Sequence, residues 1–144
     1  MNPWLRIIGF CVCSPVSAWA QQFLLSPVAE KTIVNYQVGA AAQLQSRGGW
    51  RAGGFYQQAV GHTATGEPAD QYWGIMAAAP LVKSDKLALY LAMRAGLANR
   101  HFFTVAPALN TSVKLSKRLS TDLGMSYRKG YLSALLALNI HLGL

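Results

Sequence analysis

"YLSALLALNIHLGL", residues 131–144, decides how this chain is read. Leu132, Ala134, Leu136, Leu138, Ile140, Leu142 and Leu144 share one parity, while Ser133, Ala137, Asn139, His141 and Gly143 hold most of the other. Successive side chains of a strand point to opposite faces, so the run is a strand with one apolar and one mostly polar or small face.

Working back from this end, the same period recurs. Leu87, Leu89, Leu91, Met93, Ala95 and Leu97 alternate with Ala88, Tyr90, Ala92, Arg94, Gly96 and Ala98. Phe103, Val105, Pro107, Leu109, Thr111, Val113 and Leu115 alternate with smaller or polar residues, and so do Leu119, Thr121, Leu123, Met125 and Tyr127. Upstream, Val34, Tyr36, Val38, Ala40, Ala42 and Leu44 make a further segment, with two more at residues 50–58 and 72–81. No Asp, Glu, Lys or Arg falls on the apolar parity of these segments. A helix over residues 87–97 is the local rival, since Leu, Ala and Met favour helices, but strict alternation repeated along the chain argues for strands. Pro107 cannot donate a ladder hydrogen bond, which predicts a bulge at that point. The connections at 46–49, 82–86, 116–118 and 129–130 are short and polar or glycine-containing, as in hairpins, and residues 61–70 make the one long connection.

Alternation alone does not say which face is inside. The polar parity is rich in Gly, Ala, Ser, Asn and Gln, with few charges, which suits a crowded interior better than a water-exposed exterior. Charged residues make up 12% of the chain, about half the usual share of a soluble domain. Trp50, Tyr56, Tyr72, Trp73, Phe102, Phe103, Tyr127 and Tyr131 lie near segment ends, where aromatics favour the headgroup zone. No apolar stretch reaches the roughly 18 residues of a spanning helix.

Residues 1–20 read as an export signal: Arg6, a largely apolar stretch, then Ala18-Trp19-Ala20 as a small-x-small cleavage site. Residues 21–144 are then the single folded domain, with Cys11 and Cys13 in the part removed. The formal charge of +8 would suit nucleic acid, anionic headgroups or lipopolysaccharide phosphates. Export excludes nucleic acid as a partner and leaves the lipid surface.

These features resemble the small outer-membrane β-barrel proteins of Gram-negative bacteria, the eight-stranded group that includes OmpA-type and OmpX-type barrels. The resemblance covers nearly all of residues 21–144. It implies an all-β, antiparallel up-and-down transmembrane barrel of about eight strands, with the chain end in the periplasm. It also implies a terminal strand recognised by the barrel insertion machinery, although Leu144 stands where that group usually has an aromatic. Seven strands are evident, and evenness calls for an eighth at about residues 23–28.

An eight-stranded barrel is filled by side chains, so no wide pore is expected. Arg51, Arg94, Lys114, Asp122, Arg128, Asn139 and His141 are expected to form a polar network in the lumen, with Ser112 opposite Asp122 and a Lys114–Asp122 pair. Arg47, Arg100 and Lys129, at strand or loop ends, are candidate contacts for outer-membrane lipids, including lipopolysaccharide phosphates. His141 and Ser133 share a face but stand apart along one strand, without a nearby carboxylate, so no catalytic set is assigned. His62, Glu67 and Asp70 read as a solvated loop, and no cofactor or metal motif is present. The expected role is structural or one of surface interaction. The rivals are a soluble periplasmic barrel binding a small apolar ligand and a barrel enzyme that modifies lipid A.

Overall fold

The structure, a computed structural model, describes residues 20–33, 35–60, 70–128 and 130–143. The leader reading falls outside this set apart from Ala20, and Leu144, Lys129, His62 and Glu67 also lie outside it. Eight strands follow in order: β1 (Ala20–Lys31), β2 (Tyr36–Ser46), β3 (Arg51–Val60), β4 (Gln71–Lys83), β5 (Leu87–Ala98), β6 (Phe102–Lys114), β7 (Leu119–Arg128) and β8 (Tyr131–Gly143). Each pairs antiparallel with its neighbours, and β8 returns to β1 to close the barrel. Closure removes the two free edges that an open sheet would leave unpaired. Strands of 10 to 13 residues are long enough to cross a bilayer when tilted.

The eighth strand is β1, and it is longer than the 23–28 segment expected. It pairs with β2 from Ala20↔Ser46 to Lys31↔Tyr36 and with β8 from Gln22↔Gly143 to Lys31↔Ala134. Its inward residues Leu24, Ser26 and Glu30 are fully buried, so burial of Glu30 carries the strand beyond Pro27. Pro107 makes no bulge. It faces Met93 in an unbroken β5–β6 register, and pairing with β7 starts only at Ala108↔Ser126, where its missing donor is not needed. The bulges fall instead between Pro80 and Val82 and between Ala20 and Gln22. The hairpin before β3 turns at Gly49, whose φ of 93° suits glycine.

The apolar parity points outward on every strand. Ile75, Leu91, Met93, Leu109, Leu123, Met125 and Leu136 are each about half exposed or more, forming a continuous apolar band around the wall. Such a band is far beyond what a soluble monomer presents, and it removes the reading in which these leucines enclose an apolar ligand. The aromatic rim is one-sided. Tyr36, Trp73, Phe103 and Tyr127 face outward at the end bearing the 32–35, 99–101 and 129–130 connections, with Phe102 and Tyr131 exposed at the same rim, whereas Trp50 stands at the opposite end. Tyr72, expected in that rim, is turned into the lumen and is 1% exposed.

Inside, small residues allow the walls to approach. Gly74 and Gly96 face each other across β4 and β5, and a Cβ on Gly96 would sit 2.1 Å from the Trp73 carbonyl oxygen. Gly96→Ala is therefore expected to destabilise the barrel by about 1–3 kcal/mol. Urea unfolding in detergent, followed by tryptophan fluorescence, measures this; an unchanged midpoint would disprove the close approach.

Candidate functional site in the barrel lumen

Two buried ion pairs span the lumen at different depths. Nearer the 32–35 connection, Arg94 donates to both oxygens of Glu30, at 2.8 and 3.1 Å. The same guanidinium reaches Gln57 Oε1 at 3.0 Å and Ser126 Oγ at 2.8 Å. Glu30 also accepts from Gln57 Nε2 at 3.0 Å, from Ser126 Oγ at 2.8 Å and from Ser133 Oγ. The carboxylate thus trades water for donors from four other strands, which is what makes a buried charge tolerable. Phe55 and Tyr72 meet edge to face at 4.7 Å beside it, and the Tyr72 hydroxyl donates to the carbonyls of Arg94 and Thr104. Above this layer Arg128 lies over the Tyr72 ring at 4.5 Å and donates to Gln37 Oε1 at 2.8 Å.

Toward the other end, Arg51 donates to Asp122 Oδ2 at 2.7 Å and to Ser112 Oγ at 3.3 Å, with its guanidinium 4.1 Å from the Tyr90 ring centre. Ser112 does face Asp122 in the β6–β7 register. The expected Lys114–Asp122 pair does not form. Lys114 is exposed at the end of β6, whereas Arg51 reaches Asp122 across the barrel from β3, a proximity that only closure creates. Between the layers lies a cavity of about 30 Å³ bordered by Asn110 and Asp122, whose Oδ1 atoms have no protein hydrogen-bond partner.

A third chain of polar contacts runs down the wall. Ser26 donates to Asn139 Oδ1 at 2.6 Å, and Asn139 Nδ2 donates to Ser120 Oγ at 3.3 Å. His141 meets Ser120 Oγ through Nε2 at 2.7 Å and Gln22 Oε1 through Nδ1 at 2.9 Å. With the Gln22 amide oxygen accepting from Nδ1–H, Nε2 accepts the Ser120 hydroxyl proton. The serine beside His141 is thus Ser120 of the neighbouring strand, while Ser133 belongs to the Glu30 layer.

Arg51, Arg94, Asp122, Arg128, Asn139 and His141 lie on the inward parity in three groups and not one network. Glu30, Gln57, Ser126 and Tyr72 were missed. One signal was available: of the four described acidic residues, only Glu30 and Asp122 fall within strands, and an acid on an inward parity needs a cation. Of the candidate lipid contacts, Arg47 and Arg100 lie within the described residues and at opposite ends of the barrel. Arg47 sits in the β2–β3 hairpin, and Arg100 is exposed in the 99–101 turn with φ of 65°. Asp70, grouped in the sequence reading with a solvated loop, is exposed and accepts from Asn99 Nδ2 at 2.6 Å. Among the described residues no three His, Cys, Asp or Glu side chains gather where a metal could be held.

Removing Arg94 would leave Glu30 buried and unpaired. Arg94→Ala is expected to cost about 3–5 kcal/mol of unfolding free energy, and Glu30→Leu with Arg94→Met to recover most of it. Urea titration of the folded protein in micelles measures both. Equal destabilisation by the single and double variants would show that the pair is not the source.

No family model and no curated protein matches this sequence. Solved structures do. The N-terminal β-barrel domain of Pseudomonas aeruginosa OprF matches with a TM-score of 0.71 at 7% identity, over 86% of this chain and 99% of that one. Neisserial surface protein A matches at 0.57 and 12% identity, over 89% and 98%. A de novo designed transmembrane β-barrel matches at 0.72 and 8% identity, over 85% and 97%. With closed eight-stranded topology, an apolar outer wall and a polar lumen, the chain has the fold of the small transmembrane barrels of bacterial outer membranes.

Proposed function

We propose that the protein is an integral outer-membrane barrel with a structural or surface-interaction role, exported by way of residues 1–20 and without a wide pore. The observation that carries this reading is the pair of buried ion pairs, Glu30–Arg94 and Arg51–Asp122, which span the lumen at two levels. Cavities of about 210 and 140 Å³ open at opposite ends, with the ion-pair layers between them. An eight-stranded barrel has room for its own side chains and little else. Reconstituted into planar bilayers, the protein is expected to give no porin-sized conductance steps. Reproducible large steps from the purified protein would overturn the closed-lumen reading.

In this proposal β8 is the strand presented to the barrel insertion machinery, and the end carrying both strand termini faces the periplasm. The aromatic-rich end then faces the cell surface, with Arg100 and Lys129 as contacts for lipopolysaccharide phosphates. A basic side chain near a charged membrane surface contributes about 1 kcal/mol. Arg100→Ala with Lys129→Ala is expected to weaken lipopolysaccharide binding several-fold, while Arg47→Ala leaves it unaltered. Equal binding by wild type and double variant in a direct titration would refute these contacts.

One observation favours an enzyme, the Ser120–His141–Gln22 chain, in which His141 is set to accept the serine proton. Ser120 is only 3% exposed, its oxygen also accepts from Asn139, and a neutral amide stands where a carboxylate would support an imidazolium. The chain ties β1, β7 and β8 together at the seam of the barrel, and we assign it that structural role.

A further inference from the structure

The two mouths of the barrel differ in charge. Beside the β2–β3, β4–β5 and β6–β7 hairpins, the cavity of about 210 Å³ is bordered by Arg47, Arg51, Lys83, Lys86, Lys114 and Lys117, with Asp85 the one carboxylate among the described residues. Among the described residues, the cavity of about 140 Å³ at the other mouth is bordered by one cation, Arg128, and one acid, Asp70. The basic residues form no run in the sequence. They converge because three hairpins from separate parts of the chain meet at one end of a closed wall.

Five of these six cations have no ion-pair partner among the described residues, since the ion pairs there are Arg51–Asp122 and Glu30–Arg94. Arg51 is 5% exposed and forms the floor of the cavity with Tyr90 and Ser112, and its Nε has no hydrogen-bond partner. Like charges gathered around a small polar cavity repel one another, and this costs folding energy that a bound anion would return. We propose that this mouth is a binding site for a small, soluble, polyvalent anion of the phosphate class. A phosphate group presents several oxygens in a tetrahedral array, so it accepts from a guanidinium fork and from ammonium groups on several sides at once. The anion arrives from water. Arg51, Tyr90, Ser112, Lys114 and Ser120 all carry the inward parity, whereas lipid chains lie against the opposite parity. Below it, the Arg51–Asp122 pair closes the lumen, so the anion resides there and does not pass through.

The test is calorimetric titration of the folded protein, in zwitterionic detergent, with sodium pyrophosphate against a sodium chloride control. Saturable binding is expected. Lys114→Ala with Lys117→Ala should weaken it at least tenfold, because both side chains are exposed at the cavity rim and neither supports the fold. Arg100→Ala, at the other end, should leave it unchanged, and heat-dependent gel mobility confirms that each variant is folded. Raising salt from 0.1 to 1 M, which shortens the screening length from about 10 to about 3 Å, should weaken binding. Absence of saturable heat, or affinities that do not distinguish the double variant from wild type or from Arg100→Ala, would overturn the site. The titration is then repeated in nanodiscs of phosphatidylcholine with and without phosphatidic acid. Equal pyrophosphate affinity is expected in both; loss of binding only with phosphatidic acid would overturn the soluble anion in favour of a lipid headgroup.

Discussion

The barrel depends on one buried charge, the Glu30 carboxylate, and on the donors that converge on it. Glu30 lies on β1, Gln57 on β3, Arg94 on β5, Ser126 on β7 and Ser133 on β8. Five of the eight strands are therefore held at one depth by a single bidentate ion pair and its hydrogen bonds. A carboxylate taken out of water is tolerated only when nearly all its lone pairs are satisfied, so the interaction demands a defined geometry of the ring. It sets where β1 must lie, and β1 is the strand that closes the wall.

Around that constraint the usual arrangement of side chains is inverted. The outer wall carries leucine, isoleucine and methionine, whose favourable environment is lipid, and the interior carries charges and amides. Stability inside comes from hydrogen-bond satisfaction and from two small apolar clusters, in which alanines pack around Tyr90 and around Phe55 and Tyr72. The layers divide the lumen and leave a cavity at each mouth. The Arg51–Asp122 layer has two roles in this scheme, as a plug seen from within and as a cationic floor seen from the hairpin end.

Polarity along the barrel axis has a separate origin. Aromatic side chains gather at the start or end of β2, β4, β6, β7 and β8 on one side, while lysines gather on the hairpins of the other. The two ends thus differ, one rich in the aromatics that favour headgroup depth and the other in lysines.

The terminal stretch at residues 131–144 and its repeats determined seven strands and the hairpins that join them, because a period of two and hairpin pairing are local properties of the chain, while the low charge and small residues of the polar parity determined which face is inside. Inward placement of Arg51, Arg94, Asp122, Arg128, Asn139 and His141 followed from the same parity. The length of β1 was less legible, since Pro27 interrupts its pattern and the residue that justifies extending it, Glu30, finds its partner 64 positions away. Which inward residues meet was not legible at all. Arg51 and Asp122 are 71 positions apart, and the local rule that set Lys114 diagonal to Asp122 has no knowledge of the far wall. The split of Arg47 from Arg100 and the gathering of lysines at one mouth belong to the same class. Such contacts depend on strand number, stagger and closure, which together decide how far apart the facing walls are, and those quantities exist only once the sheet has curved back on itself.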